Sequence, residues 1–295
     1  GYKYGCNDPV MAELCSPKCI YYKRKDYTVD VYTTSDAQKE LEERLSTDFT
    51  GRSYDFAHAL GLDDTDCIFY PGELVTIFGP TGCCKTSLAH NIALGYNHQM
   101  DIIDSKSQIP TLYLSMELSA WYMQRRSLQI AASCTKQHAT NNRADLFTSY
   151  SHQLDHMQIM TIPPTIEQIA KKITELQPAM IIVDYIDLVE THPMYKGEYE
   201  KVKHVAHSLS SLAVTTDTII IQVSQVSREY SRAQILDLYA GKGSGAIENA
   251  SRKVIGLNGQ ADAKEKNLEL LKNTDGELFK VKLKWQPSFR LRRTE

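Results

Sequence analysis

The segment from Gly79 to Thr86, Gly-Pro-Thr-Gly-Cys-Cys-Lys-Thr, constrains the fold of this 295-residue chain more than any other feature. It follows an apolar run, residues 73–78, whose length and β-branched residues are typical of a buried strand. A stretch of helix formers, residues 87–94, comes after it. Strand, glycine-bearing turn and helix together indicate a P-loop, because N–H groups of the turn and of the helix N-terminus bind phosphate oxygens. The segment therefore predicts a nucleotide-binding α/β fold.

Individual P-loop residues have predicted roles. Lys85 is expected to reach the β- and γ-phosphates, and the Thr86 hydroxyl to ligate Mg²⁺. The predicted nucleotide-binding set is Gly79, Pro80, Thr81, Gly82, Cys83, Cys84, Lys85, Thr86 and Ser87. The full motif has glycine where Cys84 stands, and a glycine-like backbone at this cysteine would cost about 1–3 kcal/mol. The alternative is a loop that keeps the shape but has lost the ligand.

Composition excludes several classes of protein. Hydrophobic residues make up 42% of the chain and charged residues 23%, as in soluble packed domains, and no apolar run is long enough to span a membrane. The net charge of −3 gives no overall basic field, but residues 251–295 are locally basic and suit a phosphate backbone. Seven cysteines, an odd number, argue for a reducing compartment. We therefore expect a cytoplasmic protein, either cellular or of a phage in its host's cytoplasm, with an organelle as the alternative.

Residues 1–34 differ from the rest of the chain and are predicted to be the tail of an upstream domain, because the chain begins with Gly1 rather than Met. This tail contains three closely spaced cysteines, Cys6, Cys15 and Cys19. They could ligate zinc or an iron–sulfur cluster together with a fourth ligand before Gly1, or they could be ordinary thiols.

Residues 35–49 are predicted to form a linker helix. Ser35 is the expected N-cap, and Leu41 and Leu45 lie four residues apart on one face. This isolated amphipathic helix is expected to pack on another element or on a neighbouring subunit. Residues 50–295 then make up the predicted ATPase domain.

Strands and helices alternate along this domain. Apolar runs at 111–115, 180–183 and 218–223 are separated by helical stretches at 119–132, 165–176 and 199–213. The alternation predicts an α/β fold with a mostly parallel sheet and helices on both faces. Near the C-terminus, residues 277–284 alternate between apolar and polar, which predicts a half-exposed antiparallel edge strand in a hairpin with residues 268–272.

Three polar residues follow predicted strands directly and are candidates for the phosphate chemistry. Asp184 ends an apolar strand and can hold Mg²⁺ beside Thr86. Glu117 follows another strand, where it can orient water for attack on the γ-phosphate. Gln225 ends the next strand, where its amide can hydrogen-bond the γ-phosphate.

Taken in order, these residues resemble the ATPase domain of the DnaB-like replicative DNA helicases, including the phage primase–helicases. The resemblance covers residues 50–290. The segments that carry it are the P-loop, Leu-Ser-Met-Glu-Leu-Ser at 114–119, Ile-Ile-Val-Asp-Tyr-Ile-Asp-Leu at 181–188, Gln-Val-Ser-Gln-Val-Ser-Arg at 222–228, Gly-Ser-Gly-Ala-Ile-Glu-Asn-Ala at 243–250 and Leu-Lys-Asn-Thr-Asp-Gly at 271–276. It implies a RecA-like core that assembles as a ring, usually a hexamer, with ATP between subunits and one DNA strand in the channel.

The resemblance also implies residue roles. Glu117 is the catalytic base, Lys85 and Lys272 complete the catalytic set with the sensor Gln225, and Thr86 and Asp184 bind Mg²⁺. A loop at 241–248 is expected to contact the DNA backbone through Lys242, Gly243, Ser244 and Gly245. The family carries at position 274 an arginine that reaches the neighbouring ATP site, whereas this chain has Thr274. The candidates to replace that arginine are Arg228, Arg232, Arg252 and Arg290.

The sequence thus predicts an ATP-dependent replicative DNA helicase domain that translocates on single-stranded DNA and unwinds duplex. ATP or a dNTP with Mg²⁺ is the expected nucleotide, and a primase domain or protein is an expected partner besides the subunits of the ring. Two alternatives remain. One is a RecA-like recombinase that forms filaments on DNA. The other is a degenerate, nucleotide-gated DNA-binding subunit with little hydrolysis, suggested by Cys84 and Thr274.

Overall fold

A computed structural model describes residues 33–62, 64–191, 195, 197–225 and 244–294 of the chain. The chain divides between Phe49 and Thr50 into two units. Within the first unit, helix α1 runs from Thr34 to Ser46, and none of its residues is buried. Its N-cap is Thr33 rather than the expected Ser35, because Thr33 and Asp36 form a reciprocal capping box that satisfies two backbone N–H groups.

The second unit alternates strands and helices, as its sequence predicts. Its described strands are β1 (Tyr54–Asp55), β2 (Ile68–Phe69), β3 (Leu74–Gly79), β4 (Tyr96–Asn97), β5 (Ile102–Ile103), β6 (Thr111–Ser115), β7 (Met157–Met160), β8 (Met180–Asp184), β9 (Ile219–Gln225), β10 (Lys253–Asn258), β11 (Glu265–Asn273), β12 (Lys280–Trp285) and β13 (Leu291–Arg293). Its described helices are α2 (Phe56–Leu60), α3 (Lys85–Ala93), α4 (Ala120–Ala131), α5 (Lys136–Asn141), α6 (Arg143–Tyr150), α7 (Ile166–Leu176), α8 (Glu198–Thr216) and α9 (Ser244–Ala250). None of the helices in the described ranges has both the length and the apolar character to cross a bilayer.

One sheet of nine strands organises the described part of this unit, in the order β13-β12-β11-β10-β3-β9-β8-β6-β7. The strands from β10 to β7 are parallel, and those from β10 to β13 are antiparallel. All residues of β3, β6 and β8 are buried, which is typical of parallel strands covered on both faces. The predicted fold class is confirmed: a mostly parallel α/β sheet with an antiparallel C-terminal part.

Helices cover both faces of the sheet. On one face, Ile182 of β8 belongs to the same apolar core as Leu88 of α3. On the other face, the next residue, Val183, belongs to a second core with Ile169 of α7 and Val205 of α8. Successive residues of a strand point to opposite faces, so each central strand feeds both cores. The carboxyl ends of these strands remain available for a binding site.

The C-terminal hairpin is present but does not form the edge of the sheet. Strands β11 and β12 pair antiparallel, with Leu268 opposite Val281. The expected edge position of residues 277–284 is wrong, because β13 pairs with β12 on its outer side and places Leu291 opposite Trp285. The chain therefore continues one strand further, and β13 rather than β12 forms this edge of the sheet.

A buried ion pair anchors β10 beside β3. Lys253 Nζ donates to both carboxylate oxygens of Glu73, at 3.0 and 2.7 Å. The two side chains are only 2% and 11% exposed. Strand β10 pairs parallel with β3, so this pair fixes the start of β10 at the base of the strand that leads into the P-loop.

Candidate functional site

The P-loop turns between β3 and α3 in a compact conformation. Lys85 Nζ donates to the carbonyl oxygens of Gly79 and Pro80, at 2.8 and 2.9 Å. Gly82 has a φ of +81°, and a Cβ there would lie 2.7 Å from Ala261 Cβ, so this position requires glycine. The turn after β10 therefore packs directly on the P-loop.

Cys84 adopts the backbone of the glycine it replaces. It precedes α3 with φ +76° and ψ +26°, in the left-handed region. A residue with a Cβ is strained there by roughly 1–3 kcal/mol. Burial raises the pKa of the Cys84 thiol and also that of the buried Cys83 thiol, so neither is an activated nucleophile.

Asp184 and Thr86 meet at the carboxyl edge of the sheet. The Thr86 hydroxyl lies 3.4 Å from Asp184 Oδ1, and the Tyr113 hydroxyl donates to Asp184 Oδ2 at 2.8 Å. Burial raises the pKa of Asp184, while the hydrogen bonds from Tyr113 and Thr86 lower it and so oppose that effect. Strands β6 and β8 are neighbours in the sheet, so Tyr113 lies beside Asp184. The hydrogen bond from Tyr113 to Oδ2 leaves Oδ1 of the carboxylate towards the P-loop.

A cavity of about 550 Å³ opens over the P-loop. Eight of the predicted site residues line the cavity: Thr81, Gly82, Cys84, Lys85, Thr86 and Ser87 of the P-loop, with Glu117 and Gln225. Glu117 is exposed just after β6, and Gln225 ends β9 beside the P-loop strand. The predicted residues at the ends of β3, β6 and β9 thus line the same cavity. Asp184, at the end of β8, contacts Thr86.

Other residues of the cavity carry no signal in the sequence. They include Arg126 of α4 and a C-terminal group made up of Ala261, Asp262, Ala263, Lys264, Lys266, Trp285 and Phe289. The Arg126 guanidinium stacks 4.4 Å from the centre of the Phe289 ring. Its Nε is buried and has no hydrogen-bond partner among the described residues, and burial lowers the pKa of this arginine. Arg126 reaches the cavity from α4, whereas the C-terminal group comes from the turn between β10 and β11, the start of β11, the end of β12 and the turn before β13.

Lys272 and Thr274 lie away from this cavity. Lys272 Nζ donates to the carbonyl oxygen of Glu248 at 2.7 Å. Thr274 donates to the carbonyl oxygen of Arg252 through both its backbone N–H and its hydroxyl. Lys272 therefore ties β11 to α9, and Thr274, just after β11, is tied to the residue before β10 of the same chain.

Arg290 is wrong as a candidate for the missing arginine. It is buried, pairs with Asp101 Oδ1 at 3.0 Å and donates to the carbonyls of Ile130 and Ala131 at the end of α4. Its guanidinium is therefore committed to the interior of its own subunit. Arg252 is exposed, whereas Arg228 and Arg232 lie outside the described residues.

The predicted DNA-contacting loop is only partly described. Lys242 and Gly243 lie outside the described residues, as do the cysteines at positions 6, 15 and 19. The expectation of a loop up to residue 248 is wrong for its second half, because Ser244 and Gly245 begin helix α9. In the described ranges, no group of three or more His, Cys, Asp or Glu side chains could hold a metal ion.

The donor set beside the P-loop suits Mg²⁺. Thr86 and Asp184 offer a hydroxyl and a carboxylate oxygen, and Mg²⁺ prefers hard oxygen ligands completed by water and phosphate. Asp184 Oδ1 faces Thr86 while its other oxygen is held by Tyr113, so the carboxylate is already oriented. No sulfur or imidazole group takes part in this contact, so the residues fit Mg²⁺ with a bound nucleotide.

Comparisons with known proteins agree with this geometry. The chain is 27% identical over 270 residues to the replicative DNA helicase DnaB of Treponema pallidum (strain Nichols), and the match covers 85% of this chain and 59% of that protein. Among solved structures, one ATPase domain superimposes with a TM-score of 0.72 at 17% identity, covering 90% of this chain and all of that one. A DnaB-like replicative helicase studied with primase gives a TM-score of 0.70 at 18% identity, covering 90% of this chain and 68% of the other.

The family model of the DnaB-like helicase C terminal domain matches residues 58–292. That range includes β3, the P-loop and the antiparallel strands up to β13. The chain spans less than two thirds of the length of its Treponema relative, so the match concerns one part of such a protein. The chain belongs to the family of DnaB-like helicase C-terminal domains.

Proposed function

We propose that this chain is the ATPase domain of a replicative DNA helicase that translocates on single-stranded DNA and unwinds duplex. The observation that carries the proposal is the cavity over the P-loop. It gathers Lys85, Thr86, Glu117 and Gln225 at the carboxyl ends of adjacent strands, with Asp184 behind them. In a sheet of this kind, ligands bind at the carboxyl ends of the strands.

Each residue has a distinct part in the proposed hydrolysis. Lys85 leaves the carbonyls of Gly79 and Pro80 and donates to the β- and γ-phosphates. Glu117, exposed at the mouth of the cavity, accepts a proton from the attacking water. Bound Mg²⁺ would neutralise charge on the phosphates. Gln225 hydrogen-bonds the γ-phosphate and loses that contact after cleavage.

Ring assembly and partners are part of the same proposal. The Treponema relative is named a replicative helicase, and one structural relative was studied for its interactions with primase. We propose a homo-oligomer, a hexameric ring, with single-stranded DNA in its channel and a primase as partner. Lys242 and Gly243, together with the start of α9 at Ser244 and Gly245, would contact the DNA backbone. Cytoplasmic location is proposed because the described cysteines, Cys67, Cys83, Cys84 and Cys134, are free.

Two variants test the site. Lys85→Ala removes the P-loop cation and is expected to abolish nucleotide binding. Glu117→Gln is expected to leave ATP binding within about threefold while DNA-stimulated hydrolysis falls by more than about a hundredfold, since the carboxylate acts on water rather than on the nucleotide. Nucleotide affinity is measured by fluorescence titration and hydrolysis by phosphate release. Normal turnover in both variants would refute the assignment of the site.

A degenerate, nucleotide-gated DNA-binding subunit is the second candidate. Thr274 replaces an arginine, and both it and Lys272 are hydrogen-bonded within their own subunit. In the family, an arginine at this position enters the ATP site of the neighbouring subunit, and such an arginine raises turnover by orders of magnitude. This chain has no cation at position 274. Steady-state hydrolysis with and without single-stranded DNA separates the two functions: stimulated turnover supports the helicase, and DNA binding gated by nucleotide without turnover supports the degenerate subunit.

A further inference from the structure

Lys266 is a buried lysine at the nucleotide cavity for which the sequence gives no role. It lies near the start of β11, is 1% exposed and lines the cavity with Lys85 and Thr86. Among the described residues, its Nζ donates one hydrogen bond, to the carbonyl oxygen of Gln260. An ammonium group can donate three hydrogen bonds, so two of its donors are left for another partner.

The surrounding chain holds Lys266 against the P-loop. Gly259 has a φ of +145°, and a Cβ at this position would lie 2.8 Å from Lys266 Cδ. The turn that follows contacts the P-loop through Ala261 and Gly82. Lys266 lines the same cavity as Cys84 and Lys85, so its side chain lies beside the P-loop.

A comparison with Lys253 shows what Lys266 lacks. Lys253 is 2% exposed, and its ammonium is held by both oxygens of Glu73. Lys266 is buried to the same degree, but its partner is a neutral carbonyl. A buried charge without a counter-ion is unfavourable, so an anion that enters the cavity gains from this ammonium.

We propose that Lys266 is a second phosphate-binding lysine, which contacts the phosphate chain of the bound nucleotide together with Lys85. This inference rests on the proposed function, because the ligand is the same nucleotide. A phosphate oxygen carries the negative charge that the neutral Gln260 carbonyl oxygen lacks. Charge-assisted hydrogen bonds of this kind are about twice as strong as neutral ones, so the contribution to affinity is substantial.

The test compares a buried lysine of the cavity with an exposed lysine outside it. Lys266→Met removes the buried ammonium, and Lys284→Met removes the exposed one on β12. Lys266→Met is expected to raise the Kd for ATP and for ADP about tenfold to a hundredfold, and Lys284→Met less than about threefold. Affinity is measured by titration of a fluorescent ADP analogue and by its competition with ATP. Equal effects of the two variants, or no effect of either, would overturn the proposal.

A second variant distinguishes a loss of nucleotide binding from a loss of folding. Lys266→Gln keeps a donor for Gln260 but carries no charge, so it should fold and still bind nucleotide weakly. A purely structural lysine gives the opposite pattern: normal affinity in Lys266→Gln, with a lower thermal midpoint only in Lys266→Met. Lys85→Ala distinguishes a failure of the proposed role of Lys266 from a failure of the proposed function. If it abolishes binding while both Lys266 variants bind normally, the role of Lys266 alone fails; if it binds normally as well, the proposed function fails.

Discussion

Tyr113 donates a 2.8 Å hydrogen bond to Asp184, whose other carboxylate oxygen lies 3.4 Å from the Thr86 hydroxyl. Both Tyr113 and Asp184 are buried in adjacent parallel strands, β6 and β8. The tyrosine therefore fixes the rotation of the carboxylate and leaves one oxygen towards the P-loop. In metal sites, a hydrogen bond to a ligating carboxylate orients it and strengthens metal binding, which is the role we propose for Tyr113.

Tyr113→Phe tests this arrangement. The ring stays in the core, but the carboxylate loses its donor, so we expect the Mg²⁺ concentration that gives half-maximal hydrolysis to rise about tenfold or more. The rate at saturating Mg²⁺ should fall much less. The measurement is a Mg²⁺ titration of ATP hydrolysis, with the thermal midpoint as a control for folding. An unchanged Mg²⁺ requirement would show that Tyr113 does not position Asp184.

Cys84→Gly should stabilise the protein. The φ of +76° at Cys84 is a property of the folded backbone, so relief of this strain acts on the free energy of unfolding rather than on ATP affinity. The relief of about 1–3 kcal/mol is partly offset by the greater freedom of glycine in the unfolded chain, about 0.5–1 kcal/mol. We expect a net gain of roughly 0.5–2 kcal/mol in urea unfolding and a change in ATP affinity below about threefold.

Cys84→Ala is the matched control. Alanine removes the thiol but keeps the Cβ that causes the strain, so it should not share the gain in stability. If alanine and glycine stabilise the protein equally, the thiol rather than the backbone is the source of the effect. A loss of stability in Cys84→Gly would contradict the strain itself.

The sequence predicts those parts of the site that local patterns encode. A strand followed at once by Asp184, Glu117 or Gln225 places each side chain at the same edge of a parallel sheet, and the structure has them there. By contrast, Lys266 and Phe289 reach the P-loop through the pairing of β11, β12 and β13. Alternation in residues 277–284 predicts the hairpin of β11 and β12, but the pairing of β11 with β10 and of β12 with β13 involves strands for which the sequence has no periodic signal.

The same distinction explains why the sequence does not predict strands β10 and β13. The apolar residues of strand β10 are separated by Gly256. The strand begins with Lys253, a charged residue that is buried because it pairs with Glu73. Strand β13 is three residues long and contains two arginines. Neither has the apolar run or strict alternation by which a strand is recognised, and tertiary contacts decide both.

Breaking the buried pair of Lys253 and Glu73 should destabilise the fold. Lys253→Met leaves the Glu73 carboxylate buried without its cation, and we expect a loss of about 3–5 kcal/mol in urea unfolding. Replacing both, as Lys253→Met with Glu73→Leu, removes the uncompensated charge and should recover most of that loss. A double variant no more stable than the single one would mean that packing, rather than charge, dominates at this position.

The free energy of unfolding should fall as the pH drops below about 6.5, because two buried histidines stay neutral in the fold. Burial lowers the pKa of His90 to about 3 and that of His98 to about 4, both from an ordinary value of 6.5. Between the lowered pKa of each folded histidine and 6.5, the unfolded chain binds protons that the folded chain does not. The free energy of unfolding therefore rises with pH in this range and falls on acidification. Each fully linked proton contributes about 1.4 kcal/mol per pH unit.

Conservative variants test whether the two histidines cause this pH dependence of the free energy of unfolding. His98 Nδ1 donates to the Leu291 carbonyl, a bond that the amide of His98→Asn can reproduce without titrating. His90 Nε2 pairs with Ser127 Oγ at 2.9 Å, which His90→Gln can reproduce in the same way. The measurement is urea unfolding at pH 5 to 6.5, above the range in which most carboxylates titrate. In each variant the free energy of unfolding should depend less on pH, by about 0.7 kcal/mol per pH unit at pH 6.5 and about 1.4 at pH 5. A stability that does not change with pH in this range in the unmodified protein would show that the two rings are protonated in the fold.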